Sequence, residues 1–274
     1  HLKVDFMGNE KWVIVPFDFQ KLKKILFDWQ VNMGKHHAWN AVFWCNHDQP
    51  RVVSRFGNVE KYWKESAKML GTVIHCLRGT PYIYQGEELG MTNAGFTDIS
   101  QYKDVESLNH FRILQEKGLT KENAYQILQI HSRDNSRTPM QWTSGENGGF
   151  TTGRPWIEVN KNCSYINAEA ELQDEDSIFH YYQKLISLRK KYDVIAYGDL
   201  KPLDEKNPSV FAYEREYQGE KMLVICNFYG KEVTWDSEMD LGEYQCVLSN
   251  YEVHNIEGSR IGLKPYEAVV LYKK

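Results

Sequence analysis

Two short apolar runs constrain the fold of this chain more than any other feature: AVFWC at 41–45 and PYIYQ at 81–85. Each is too short for a helix and apolar enough to be a buried strand. Segments of helical period precede and separate them. Over 18–34, Leu22, Ile25, Leu26, Trp29 and Met33 recur at helical spacing, with Asp18 placed to cap and Gly34 to end the helix. Over 60–78, Trp63, Ala67, Leu70, Ile74 and Leu77 repeat the pattern, closing at Gly79. Strands separated by helices in this way predict parallel βα units.

The texture then changes twice. Residues 86–175 are rich in Gly, Asn, Asp and Ser and form a long loop insertion, with short helices expected at 104–117 (Asp104 as cap) and 120–131 (Thr120 as cap). An excursion of that length between regular elements points to function. Residues 176–192 return to an amphipathic helix capped by Asp176, with Ile178, Tyr181, Tyr182, Leu185 and Leu188 on one face. From 194 onward, SVFAYERE, KMLVICNF, YQCVLSN and EAVVLYKK are β-prone runs separated by turn residues, the pattern of an antiparallel β-sandwich. The expected domains are therefore 1–193 and 194–274.

Charge and cysteine usage exclude several classes. A net charge of −4 leaves no electrostatic footprint for nucleic acid or anionic lipid, and no apolar stretch suits a membrane span. The five cysteines are odd in number and never spaced C-x-x-C, which argues against a disulfide framework or a zinc site and for a reducing, cytoplasmic setting. No phosphate-cradling glycine loop, H-E-x-x-H or serine nucleophile elbow occurs, so no cofactor or metal is expected. The chain opens on His1 and HLKVDF, which reads as the end of a strand and suggests a portion of a longer protein.

Chemistry concentrates where the first apolar run stops, at NHDQPR (46–51). Residues just past the carboxyl end of a parallel strand face the crevice where ligands bind. There Asp48 offers a rigid anion to a developing positive charge, and His47 a hydrogen bond to a hydroxyl. Alternatively, both simply cap the loop. Glu87 and Glu88 end the second run; the plainer account has one bonded to backbone and the other solvated. SRDNSRTPMQW (132–142) brings Arg133, Asp134 and Arg137 together, either as a fork for hydroxyls or carboxylates or as a brace for the loop. Lys3 and Lys11 flank the turn in HLKVDFMGNEKW, as phosphate-binding point charges or as solvated surface.

Taken together, NHDQPRVVSRFGN, GTPYIYQGEELGMTN, SRDNSRTPMQW and GFTTGRPWIEVN resemble the α-glucosidase branch of glycoside hydrolase family 13. That branch holds oligo-1,6-glucosidases, dextran glucosidases and trehalose-6-phosphate hydrolases. The resemblance implies an α/β fold, the C-terminal part of a (β/α)8 barrel followed by an antiparallel β domain, with 41–45 and 81–85 as the last two barrel strands. It implies a retaining hydrolase of a small sugar substrate in which Asp48 stabilises the transition state, His47 binds the sugar, and Arg137, with Arg133 beside it, reaches the substrate region.

The family's nucleophilic Asp and acid/base Glu match nothing in these 274 residues. The resemblance therefore implies a chain inactive alone, whose partner would be the missing N-terminal part of the barrel. Oligo-1,6-glucosidases carry an acidic residue near the position of Lys3, whereas HLKVD and FWCNHDQPR are closer to the phosphate-accepting group. Lys3 and Lys11, with His1, are then expected to hold a 6-phosphate. A neutral-substrate α-glucosidase, and a sugar-binding module without catalysis, remain the alternatives.

Overall fold

A computed structural model describes residues 2–252 and 255–274. Helix α1 (Phe19–Lys35) starts where expected, with the Asp18 side chain accepting from the Lys21 amide. Strand β1 (Ala41–Val42) follows, then helices α2 (Val52–Phe56) and α3 (Trp63–His75), and strand β2 (Thr80–Pro81). β1 and β2 pair in parallel, Ala41 opposite Thr80 and Val42 opposite Pro81. The two expected strands, 41–45 and 81–85, are thus parallel neighbours but far shorter than the apolar runs. Beyond Val42 and Pro81 the chain leaves the ladder for the turns that build the site, and Phe43 and Tyr82 are exposed.

The buried face of α1 also differs from expectation. Leu22, Lys23, Phe27 and Gln30 are covered, while Trp29 is exposed. The reason is the β domain: Phe27 packs on Phe211, ring centroids 4.7 Å apart, and the Lys23 ammonium donates to the carbonyls of Asp204, Asn207 and Val210. The face carrying Ile25, Leu26, Trp29 and Met33 borders an apolar groove alongside β1.

Within 86–175, α4 (Val105–Glu116) and α5 (Lys121–His131) begin at the expected caps, Asp104 and Thr120, and a short α6 (Ala168–Gln173) precedes the next long helix. This segment has its own core, where Trp12, Phe96, Tyr102, Phe111, Leu128 and Ile157 meet. Helix α7 (Ile178–Lys191) buries all five expected residues. Its cap is Ser177 rather than Asp176, because the Asp176 carboxylate is drawn 2.6 Å from the buried Lys68 ammonium.

After α8 (Asp193–Tyr197) come strands β3 (Asp199–Leu203), β4 (Val210–Tyr217), β5 (Glu220–Asn227), β6 (Val233–Asp236), β7 (Gln245–Ser249), β8 (Asn255–Glu257), β9 (Arg260–Leu263) and β10 (Ala268–Lys273). They form a five-stranded sheet ordered β3-β4-β5-β10-β7 and a three-stranded sheet ordered β6-β9-β8, all antiparallel. Val210, Leu223, Trp235, Ile261 and Leu271 fill the space between the sheets. The outer face of the larger sheet shares one continuous core with α1, α3 and α7.

Two arginines lock that junction. Arg189 on α7 donates to the carbonyls of His75, Leu77 and Gly79, and Arg215 on β4 donates to those of Cys76 and Gly198. They satisfy the open carbonyl end of α3 from two different elements.

Candidate active site

The turn after β1 is shaped by Asn46. Its side-chain oxygen accepts from the Asp48 amide at 2.8 Å and its carbonyl from the Gln49 amide at 3.1 Å. This local closure sets Asp48 on the rim, its side chain 40% exposed. Arg51 anchors the far end of the turn. Fully buried, it donates to the Gln85 carbonyl at 2.5 Å and the Asn135 carbonyl at 3.3 Å. Tyr84 reaches the Ser136 carbonyl at 2.7 Å. Three loops that lie far apart in sequence are thereby laced into one wall.

On that wall the predicted residues converge. Arg137 donates to Asp48 Oδ1 at 2.8 Å and to the His47 carbonyl at 2.8 Å, and Arg133 Nη1 lies 3.5 Å from the same Oδ1. His47 Nε2 is 3.5 Å from Asp48 Oδ2, with the ring largely exposed. Arg133 also grips Asp104 through Nε at 3.0 Å and Nη2 at 2.6 Å. Burial pushes the Asp104 carboxyl up, but the Arg133 pair more than offsets this and holds it below the ordinary range.

A pocket of about 200 Å³ opens beside this cluster, lined by Lys3, Lys11, Asp48, Arg55, Glu106 and Arg133 among others. Lys3 is exposed, its ammonium 3.1 Å from Asn9 Oδ1. Lys11 is more enclosed: it lies over the Trp12 ring and pairs with Glu106 at 3.3 Å. Burial lowers the Lys11 ammonium's affinity for its proton, and Glu106 opposes that only in part. His47 and Arg137 do not line the pocket; they brace Asp48 from its other side. His1 lies outside the described residues.

Sequence reasoning missed three members of this wall. Asp5 and Arg55 form a bidentate pair at 2.6 and 2.7 Å, nearly buried, and Arg55 also donates to Gln49 Oε1 at 3.0 Å. Glu106 sits in the first turn of α4, where an acidic residue is ordinary and marks no site. Conversely, Glu87 is not solvated. Gly86 and Gly90, at φ +86° and +65°, wind 87–89 into a tight turn that aims Glu87 inward. Its Oε1 accepts from Tyr182 Oη at 3.0 Å, and burial pushes its carboxyl up to about 8. Glu88 bonds backbone as expected, accepting from the Gly86 amide. Among the described residues no group of three His, Cys, Asp or Glu side chains is placed to hold a metal ion, and no helix is long and apolar enough to cross a membrane.

The sequence signature of the alpha amylase catalytic domain matches residues 1–198, and that of the maltogenic amylase C-terminal domain matches 200–270. The chain belongs to the alpha-amylase family. Among alpha-amylase family relatives it is 54% identical to the trehalose-6-phosphate hydrolase of Bacillus subtilis, over 98% of this chain and 49% of that protein. It is 47% identical to the oligo-1,6-glucosidase of Bacillus cereus, over 100% of this chain and 50% of that protein. The crystal structure of Bacillus licheniformis trehalose-6-phosphate hydrolase superimposes with a TM-score of 0.96 at 53% identity, covering 99% of this chain and 50% of that one. The chain thus spans about half the length of these relatives. The fold class expected from sequence, barrel units followed by an antiparallel β-sandwich, holds.

Proposed function

We propose that this chain forms one wall of the active site of a retaining α-glucosidase that cleaves trehalose 6-phosphate to glucose and glucose 6-phosphate. The observation that carries the reading is the single pocket in which Asp48 and the two lysines, Lys3 and Lys11, meet. As an α-glucosidic bond breaks, the glucosyl ring gains cationic character. An anion held stiffly against it lowers the barrier without having to reorganise. Arg137 and Asn46 hold Asp48 in that way. His47, exposed beside it, hydrogen-bonds a ring hydroxyl, Arg133 and Arg137 fix the rim, and Lys3 and Lys11 receive the 6-phosphate. Retention needs a nucleophile and an acid/base about 5 Å apart. In this reading both come from the part of a full-length enzyme that the chain does not span, and the chain alone is inactive. Residues 1–193 are its barrel part and 194–274 its β domain.

The substrate assignment draws on the higher identity to trehalose-6-phosphate hydrolase and on the two cations. The free cysteines and the charged sugar fit a cytoplasmic site. A neutral-substrate oligo-1,6-glucosidase is the second reading, favoured by the Glu106 carboxylate already lying on Lys11. In a full-length enzyme carrying this chain, Lys3→Ala with Lys11→Ala should raise KM for trehalose 6-phosphate, relative to a neutral aryl α-glucoside, by about tenfold or more, the scale of a lost charged hydrogen bond. Equal changes on both substrates overturn the phosphate assignment.

A further inference from the structure

The pocket wall is an alternating chain of charge. Starting at the rim, Asp48 meets Arg137 and Arg133, both reach Asp104, Arg133 meets Glu106, and Glu106 meets Lys11. One oxygen, Glu106 Oε2, closes the chain: it lies 3.3 Å from Lys11 Nζ and 3.3 Å from Arg133 Nε. Three cations and three anions balance here without any ligand. Glu106 is about one-third exposed and can swing, whereas Asp104 is buried and fixed as the cap of α4.

We infer that Glu106 is a built-in competitor for the phosphate, which holds Lys11 while the pocket is empty and retakes it to expel the phosphorylated product. The inference rests on the reading of Lys11 as a phosphate site. A phosphate monoester seated on Lys11 brings close to two negative charges against the Glu106 carboxylate. Both cannot keep the ammonium at hydrogen-bond distance without repulsion, so the carboxylate must turn wholly onto Arg133. Binding is weakened by that displacement, and release of the charged product is speeded by its reversal. Among the described residues the Lys3 ammonium is held by the neutral Asn9 amide and by no carboxylate, so it undergoes no such exchange.

The test is the inhibition constant of inorganic phosphate against a neutral aryl α-glucoside, measured in a full-length enzyme carrying this chain. Glu106→Gln should lower that constant by about tenfold, the scale of one like-charge contact removed at a partly buried site. In a Lys11→Met background the same substitution should have no further effect, since nothing is left to compete for. Where Glu106→Gln abolishes turnover, calorimetric titration with inorganic phosphate reads the same tightening directly. A constant that is unchanged or higher in Glu106→Gln, or a shift that persists with Lys11→Met, overturns the competitor role. If Lys11→Met alone leaves phosphate binding intact, the phosphate site itself is misplaced.

Discussion

Glu87→Gln isolates the buried carboxyl beneath the rim. Glu87 is 5% exposed, and its proton-binding range rises from an ordinary 4.5 to about 8 because burial penalises the anion. The Tyr182 hydroxyl and Arg51 oppose that rise only in part. Between those limits the folded chain holds a proton that the unfolded chain has lost, so stability must fall as pH rises. At about 1.4 kcal/mol per pH unit the full span is worth about 5 kcal/mol. A second buried group masks the lower half of that window. His75, whose ring packs 5.1 Å edge-on to Tyr182, is pushed down to about 4 by burial and by Arg189. It stays neutral in the fold while the unfolded imidazole charges below about 6.5, so its contribution rises with pH from about 4 to 6.5.

The two slopes oppose each other up to pH 6.5, and above it Glu87 acts without His75. Urea denaturation of the 274-residue chain should therefore show a decline of about 2 kcal/mol between pH 6.5 and 8. Gln cannot ionise and can still accept from Tyr182, so this decline should disappear in Glu87→Gln. That holds even where the unpaired amide group costs about 1–2 kcal/mol at every pH. A wild-type decline that persists undiminished in Glu87→Gln would refute the assignment of the proton to Glu87.

Two further stability predictions follow from buried cations. Arg55→Met leaves the Asp5 carboxylate buried without its bidentate partner and should cost about 3–5 kcal/mol in urea titration at pH 7; adding Asp5→Asn should recover a large part of that. Lys23, held by carbonyls and pushed down to about 8 by burial, should make the wild type gain stability as pH rises from 8 toward 10. The gain should be absent in Lys23→Met, and the same slope in both proteins would contradict it.

The periodic elements were legible in the sequence because their signals are local. Asp18, Asp104 and Thr120 cap the helices they precede, and the apolar face of α7 is that read from spacing. Asp176 was the wrong cap because a lysine 108 residues away in sequence claims its carboxylate. The runs at 41–45 and 81–85 gave the parallel pairing but not its length, since apolar character cannot say where a chain turns out of its ladder. β3, β6, β8 and β9 are short and mix polar with apolar residues too briefly to show a period, and went unread. In the site, NHD and RDNSR could be read as rim loops because each has a distinctive density of polar groups. The Asp5–Arg55 and Lys11–Glu106 contacts could not, since they join residues 50 and 95 positions apart and neither partner is unusual alone.

The arginine pair at the end of α3 ties the second strand to the β domain. Arg215 belongs to the sheet, Arg189 to the helix packed on it, and together they hold the backbone from His75 to Gly79 just before Thr80. The place where Tyr84 and Arg51 meet is thus set from behind, by a layer none of whose described residues lines the pocket. Warming that loosens this distant layer should blunt the rim's geometry before the helices melt, so the β domain serves the rim as its foundation.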